Sequence, residues 1–416
     1  MINGIARMME QKKDEVDAFF EKALARVHAP IYASFDVRHA GFKAAVIDAN
    51  AFASGFNNLS CYCQEKARKG FTDFLKSHHP EAKRIMLVGE AFTRNTFYLE
   101  NLHVLADLLL GAGYDCIPVS FSSEIENEVK TFPTAAGREI SLHRPIREGA
   151  VLRTGDFVPD IVMLNNSIKG ALPAELVGLE TPIYPNPTIG WYHRRKSGHF
   201  EAANRLLGEF ADAIGIDPWL VSTIFESQDD VDFKEKTGLD RIAKSVDKII
   251  AQTKKKYDEH GIKDTPFVFV KNNAGEMGTA ITQVESGQEI LDMNSKERRK
   301  MDIATAGVKV TSVVIQEGIP TIDLFDGITA EEVMMTVGSR AIGGFFRYNR
   351  ERNDHQNLNA AGMQFQPDIL CARHWEENDE HTKSNLALEH VEVFKALSLI
   401  SAIAMGHEEE ELLKDV

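Results

Sequence analysis

Apolar residues recur at near-helical spacing at Ile5, Met8, Val16, Phe19, Phe20 and Leu24, which predicts an amphipathic helix over 3–27 stopped by Pro30. The period then changes. Short apolar runs at 84–88, 115–121, 161–164 and 182–184 predict strands, with a helix over 96–110 between the first two. Strands alternating with helices predict an α/β chain built on a mainly parallel, helix-covered sheet. Ligands of such sheets gather where strands end, and these ends carry Gly89-Glu90, Asn165-Asn166 and Asn186. Pro182, Pro185 and Pro187 mark a break before a helix over 196–214, which stops at Gly215-Ile216-Asp217-Pro218. Another helix is expected over 239–260, a β-rich segment over 266–350, and a closing helix over 386–404. The run Glu408 to Glu411 reads as an acidic frayed end.

At 416 residues the chain exceeds what one hydrophobic core usually serves, so two or three lobes are expected. A net charge of −15 argues against a nucleic-acid partner, which would call for a basic face. Local clusters such as His193-Arg194-Arg195-Lys196 can still draw anions. The lysines of Lys254-Lys255-Lys256 read as a solvated helix face. The segment from Met1 to Glu10 lacks the layout of a signal peptide, and the apolar stretch from Val393 to Met405 is too short and interrupted to span a bilayer, so no membrane is expected. Cys61, Cys63, Cys116 and Cys371 match neither a zinc ribbon nor a disulfide framework; free thiols in a reducing cytoplasm are the simpler expectation. No heptad or large uniform apolar face marks an oligomer interface.

The segment 266–281 carries the most chemistry. A β run from Phe267 to Val270 delivers Lys271 to its end and breaks into a loop with Gly275 and Gly278. Glycines let backbone approach an anion, and the lysine supplies charge. It is not a Walker A loop, since the lysine precedes the glycines, and an ordinary glycine turn has the same local pattern. Downstream come a β run ending in Gln316-Glu317-Gly318, then Gly343-Gly344-Phe345-Phe346-Arg347, then Asn357-Leu358-Asn359. An arginine aimed inward from a sheet seldom lacks an anionic partner, which singles out Arg347. Asn359 offers a neutral oxygen for Mg²⁺, with Asp354 as the nearby carboxylate and Glu317 a more distant one.

Two N-terminal segments are unusually polar for their β-rich surroundings. In Asp36-Val37-Arg38-His39-Ala40-Gly41-Phe42-Lys43, a strand would put Asp36 and Arg38 on one face. Asp48-Ala49-Asn50 then leads to Gly55-Phe56-Asn57-Asn58. These suit either a surface loop with an ion pair or a recess for an amino acid, with Arg38 or Lys43 holding a carboxylate and Asp36 or Asp48 an ammonium group. Arg94 and Asn95 follow the strand 84–88, Arg94 being either a carboxylate anchor or a helix-start residue. Arg195 and Lys196 open a helix, where they serve equally as phosphate contacts or as a solvated start.

Lysine strand, glycine loop, Gln-Glu hinge, strand-borne arginine and Asn-x-Asn turn follow the order of an ATP-grasp ligase, in which two lobes clamp ATP between sheets. Together with Thr93-Arg94-Asn95, Leu164-Asn165-Asn166 and Gly190-Trp191 before Arg194-Arg195-Lys196, they make the chain resemble the proteobacterial-type glutamate–cysteine ligases from near Ser34 to near Trp375. The likeness has departures. The family's lysine is followed by Ala-Asp-Ala-Gly, and here stand Asn272, Asn273, Ala274 and Gly275, with Ala280 in place of a further glycine. Gln356 and Ser339 stand where the family has acids.

The resemblance implies an N-terminal α/β amino-acid-substrate domain over 1–195, an ATP-grasp domain over 196–407 and the tail 408–416. It implies ATP and Mg²⁺, with Lys271 and Arg347 catalytic and Lys196, Lys271, Gly275, Gly278, Gln316 and Glu317 on the nucleotide. Asp36, Arg38, Lys43, Asp48, Asn57, Asn58, Arg94, Asn95, Asn165, Asn166, Arg194 and Arg195 would hold the amino acids, and Asn359 and Asp354 the metal. The expected reaction joins glutamate to cysteine through an acyl phosphate; the alternatives are a different amino-acid pair or a non-catalytic nucleotide- or amino-acid-binding relative.

Overall fold

The amphipathic stretch at the N-terminus folds as two helices, α1 (Ile2–Gln11) and α2 (Lys13–Leu24), because Lys12 leaves helical geometry at φ −110° and ψ 33°. The computed structural model describes residues 2–91, 93–275, 278–304, 307–367 and 387–415; Cys371 and Trp375 lie outside the described residues. The chain continues through β1 (Tyr32–His39), β2 (Ala44–Asn50), α3 (Cys61–His78), β3 (Arg84–Gly89), α4 (Thr96–Gly111) and β4 (Asp115–Ser120). Next come β5 (Val129–Pro133), β6 (Glu139–His143), β7 (Ile146–Glu148), β8 (Val151–Arg153), β9 (Ile161–Asn165) and β10 (Ile183–Tyr184). In the order β10-β9-β3-β4-β6-β5, six of these strands form a sheet that is parallel except for β5. Ile85 to Val88 and Ile161 to Leu164 are fully buried, which is why these strands are unbroken apolar runs.

After α5 (Lys196–Ile214) come β11 (Phe225–Asp229), α6 (Leu239–His260), β12 (Val268–Asn272), β13 (Ile281–Val284), α7 (Gly287–Leu291), α8 (Ser295–Asp302) and β14 (Ser312–Glu317). Strands β11-β14-β12-β13 form an antiparallel sheet. It has a core of its own, in which Ile242, Val246 and Ile249 of α6 meet Val268, Val270, Val313 and Ile315. The chain closes with β15 (Leu324–Phe325), β16 (Ile328–Val337), β17 (Arg340–Tyr348), β18 (Gln364–Pro367) and α9 (Leu388–Leu412).

The third large sheet joins both ends of the chain in the order β18-β17-β16-β1-β2, every pair antiparallel, with β15 added to β16. Strands from before residue 195 and after residue 328 therefore share one layer. Helix α9 touches β1, β2, β16 and β17 of this sheet, as well as α1 and α5. That enclosure explains its apolar surface on every side, from Val391 and Phe394 to Ala404 and Met405.

One expectation needs correcting. Glu408 is not part of a frayed acidic tail: α9 runs on to Leu412, and Glu408 is buried, with Arg194 donating to it from Nε at 2.8 Å and from Nη2 at 3.1 Å. A run of four acids looks solvated in sequence, and only packing against α5 turns the first one inward. The α/β class stands as expected, and among the described residues no helix is long and apolar enough to cross a membrane.

Candidate active site

A cavity of about 560 Å³ opens where three of these parts meet. The antiparallel sheet gives it Asp36 of β1, Asp48 of β2 and Arg347 of β17; the turn after β2 gives Asn57 and Asn58. The carboxyl ends of the parallel strands contribute Glu90, Asn165 and Ser167; α4 contributes Asn101, and Asn95 caps its start. Asn359 of the Asn-x-Asn turn closes one side, while Trp191, Phe345 and Phe365 form apolar wall. This is the edge at which doubly wound sheets hold ligands. Asn101 fixes the turn after β2: its Oδ1 accepts from the amides of Gly55 at 2.8 Å and Phe56 at 3.0 Å.

Asp36 and Asp48 are directly opposite one another across β1 and β2, beside a bulge between Asp36 and Val37. Like charges in that position repel, so each needs a cation. Arg347 forks Asp36, with Nη1 at 2.6 Å from Oδ2 and Nη2 at 3.2 Å from Oδ1. The same Nη1 donates to Glu331 at 2.8 Å, and Glu331 accepts from Arg38 Nε at 2.7 Å. Lys196 donates to Asp48 Oδ1. Burial, joined by the Glu331 and Asp48 carboxylates, lifts Asp36 above the usual carboxylate range in spite of Arg347. Burial also acts on Asp48, but the Lys196 and Lys271 ammonium groups outweigh it and hold Asp48 low. Two facing acids thus differ in their readiness to take a proton or a cation.

Lys271, at the end of β12, reaches across to the antiparallel sheet of β1 and β2. Its Nζ donates to Gln316 Oε1 at 2.7 Å and to the Ile47 carbonyl at 3.1 Å. Burial dominates its surroundings and brings it down to about 8, helped by Lys196 and opposed by Asp48. Beyond it, Gly278 rests on the Asn-x-Asn turn. Gly278 has φ +64°, and a Cβ there would stand 2.1 Å from the Asn359 carbonyl oxygen. Glycine is required by both the backbone and the contact. Gly275, at φ +139°, leads into the same loop, and the buried Ala280 ends it at φ +50°.

Asn273, where the family resemblance calls for an acid, uses both halves of its amide. Oδ1 accepts from the Ser197 amide at 2.9 Å, while Nδ2 donates to Ser197 Oγ at 3.0 Å and Ser312 Oγ at 2.9 Å. An aspartate could keep the last two contacts only by accepting, with both serine hydroxyls turned round to donate. The Asn273 carbonyl accepts from the Lys196 amide at 2.8 Å, so this amide ties the lysine strand to the start of α5.

The remaining candidates fall elsewhere. Arg94 is 92% exposed and pairs with Glu124; Arg195 bonds the carbonyls of His193 and Arg194 at the surface. Arg194 is interior, clamped by Glu408. Lys43 and Glu317 form a buried pair at 2.7 Å, with Glu317 also accepting from Trp219 Nε1 at 2.9 Å. Arg38 serves Glu331 and the Gln356 carbonyl rather than the cavity. Asn166 accepts from the Ile168 amide at 3.0 Å, beside the cavity rather than in its wall. Asp354 turns to His355 at 2.8 Å, half exposed, so the carboxylates that share a wall with Asn359 are Asp36, Asp48 and Glu90. Sequence reasoning passed over Glu331, which faces Arg347 in register across β16 and β17. The signal available was an acid pair, Glu331-Glu332, inside a β run.

Comparison with known proteins agrees with this geometry. No curated protein matches the chain. A candidate gamma-glutamylcysteine synthetase from Methylobacillus flagellatus KT, solved at 1.90 Å, shares 32% identity and superposes with a TM-score of 0.87, covering 98% of this chain and 96% of its own. The D-alanyl-alanine synthetase A of Vibrio cholerae O1 biovar eltor has 13% identity and a TM-score of 0.32, over 78% of this chain and 81% of its own, too slight a likeness to carry any argument. The GshA family, described as glutamate-cysteine ligase, matches residues 6–409. With lysine strand, glycine loop and asparagine turn gathered beside a cavity, and a family match over almost its whole length, the chain belongs to the glutamate-cysteine ligase family.

Proposed function

We propose that the protein is an ATP-dependent ligase that joins glutamate to cysteine. The observation that supports this is the arrangement around one cavity: Asp36, Arg347 and Asn359 line it, Gly278 is seated on the Asn359 carbonyl, and Lys271, outside the lining, reaches the Ile47 carbonyl next to Asp48. The γ-carboxylate of glutamate takes the terminal phosphoryl group of ATP, releasing ADP; the cysteine amine then attacks the acyl carbon, phosphate leaves, and the amine sheds its proton.

Among the described residues no three His, Cys, Asp or Glu side chains converge on a metal position. Mg²⁺ in nucleotide enzymes takes one or two carboxylates besides phosphate oxygens, so the hard oxygens of Asp36, Asp48 and Asn359 fit it. Bound there, Mg²⁺ supplies charge neutralisation at the phosphates. The chain's own part is positioning and charge. Lys271 and Lys196 would hold phosphate oxygens, and Arg347 would face the transferring group. The Gly275–Gly278 loop would cover the acyl phosphate, and Trp191 and Phe345 would keep water from it. Cys61, Cys63 and Cys116 as free thiols suit a cytoplasmic site of action.

The test is release of ADP from Mg²⁺–ATP in the presence of glutamate and cysteine, with γ-glutamylcysteine identified by mass. ATP turnover that needs both amino acids is the expected result. An enzyme that binds ATP and consumes none with this pair would overturn the reading.

A further inference from the structure

Among the described residues, four charged side chains line the cavity: Asp36, Asp48, Glu90 and Arg347. Asp36 is forked by Arg347 and Asp48 is hydrogen-bonded by Lys196. Glu90 differs. The nearest cation, Lys169, stands 3.8 Å from its Oε1, outside hydrogen-bond reach. Oε1 instead accepts from the Ser167 amide at 3.0 Å and the Ser167 hydroxyl at 2.7 Å. Among the described residues no donor reaches Oε2.

The carboxylate is also held from behind. The Glu90 amide donates to the Tyr98 hydroxyl at 2.8 Å, and that hydroxyl donates to the Asn165 carbonyl at 2.6 Å. Ser120 Oγ donates to the Glu90 carbonyl at 3.1 Å. The backbone at the end of β3 is therefore pinned to β4 and β9, with one carboxylate oxygen oriented and the other open. A pre-oriented carboxylate with a spare oxygen in a cavity wall is a receptor for a compact cation. The substrates of an amino-acid ligase bring such cations as α-ammonium groups.

We propose that Glu90 anchors the α-ammonium group of one of the two amino-acid substrates, an inference that rests on the ligase reading above. Ser167 sets the orientation of the carboxylate, and Oε2 receives the ammonium.

The test compares each amino acid with its analogue lacking the amine: glutamate with glutarate, and cysteine with 3-mercaptopropionate. Binding of all four to the full chain is measured by calorimetry, for wild type and for Glu90→Gln. Glutamine keeps an acceptor for Ser167, so the fold is retained, and an unchanged melting temperature checks this. A hydrogen bond to a charged group corresponds to roughly a 10–100-fold preference. Wild type is expected to prefer one amino acid over its analogue by that factor, and Glu90→Gln to erase the preference while leaving the analogue's affinity within about threefold. Unchanged preferences for both pairs, equal losses for amino acid and analogue, or a wild type that binds neither amino acid would overturn the proposal. The ligase reading fails separately, through absent ADP release, which these binding ratios do not depend on.

Discussion

Replacing Glu408 by glutamine is expected to destabilise the fold far more than its place in an acidic run suggests. The Arg194 and Glu408 side chains are only 1% and 5% exposed and are joined by two hydrogen bonds. Glutamine keeps the shape and one acceptor oxygen but removes the negative charge, so the guanidinium is left buried without its counter-ion, with the Ala49 carbonyl 2.7 Å from Nη1 as its other acceptor. Removing one partner of a buried pair costs about 3–5 kcal/mol. At roughly 2.1 cal/mol/K of unfolding entropy per residue, a 416-residue unit loses about 3–6 °C of melting temperature. The decisive comparison is the double variant Arg194→Met with Glu408→Leu, in which both charges go. Replacing a whole buried pair by apolar groups is often neutral or stabilising, so the double variant is expected to melt above the single one. Its activity is expected to fall below that of wild type, because the Ala49 carbonyl, next to Asp48, has lost its donor. Thermal unfolding of the three proteins decides the matter. A single variant within about 1 kcal/mol of wild type, or a double variant no more stable than the single, would refute the argument.

Lys271→Ala and Arg347→Ala are each expected to lower kcat/KM by about 2–4 kcal/mol, and near-normal turnover in steady-state assays would remove that residue from the mechanism. In the proposed mechanism the ammonium form of Lys271 would hold phosphate; since burial brings its pKa down to about 8, that form is complete at lower pH and lost as pH rises through about 8. ATP affinity of the free enzyme is therefore expected to be flat up to that point and to weaken above it. Lys271→Arg, charged at every accessible pH, is expected to abolish the decline; calorimetric titration from pH 7 to 9.5 distinguishes the outcomes. Gly278→Ala would force a side chain into a φ of +64° at about 1–2 kcal/mol and against the Asn359 carbonyl. Loss of ligase rate with a melting temperature close to wild type is the expected pattern, and full activity would show that the loop and the asparagine turn need not touch.

Elements ruled by local pattern were legible in the sequence. The helices over 196–214 and 239–260 appear with the expected bounds, because glycines at 215, 238 and 261 adopt left-handed φ at their ends. The parallel strands β3 and β9 were legible because they are buried on both faces, whereas β6, with alternate residues exposed, was not foreseen. The acid and arginine of β1 could be placed on one face by period alone, and both do converge on the Arg347–Glu331 network. What escaped depends on long-range register. The pairing of Asp36 with Asp48 needs the bulge, and Glu331 gains meaning only when β16 is laid between β1 and β17. Glu408 escaped for a related reason: three of its sequence neighbours are acids, and its partner is 214 residues away.

The sheet that joins both chain ends has a consequence for synthesis. Tyr32 faces Val337, so β1 leaves the ribosome roughly three hundred residues ahead of the strand that covers its outer edge. At about 5–20 residues per second, that edge waits on the order of 15–60 s with unpaired amides and carbonyls. A nascent chain of this kind invites edge-to-edge aggregation, and a truncation anywhere before residue 328 would leave the exposure permanent.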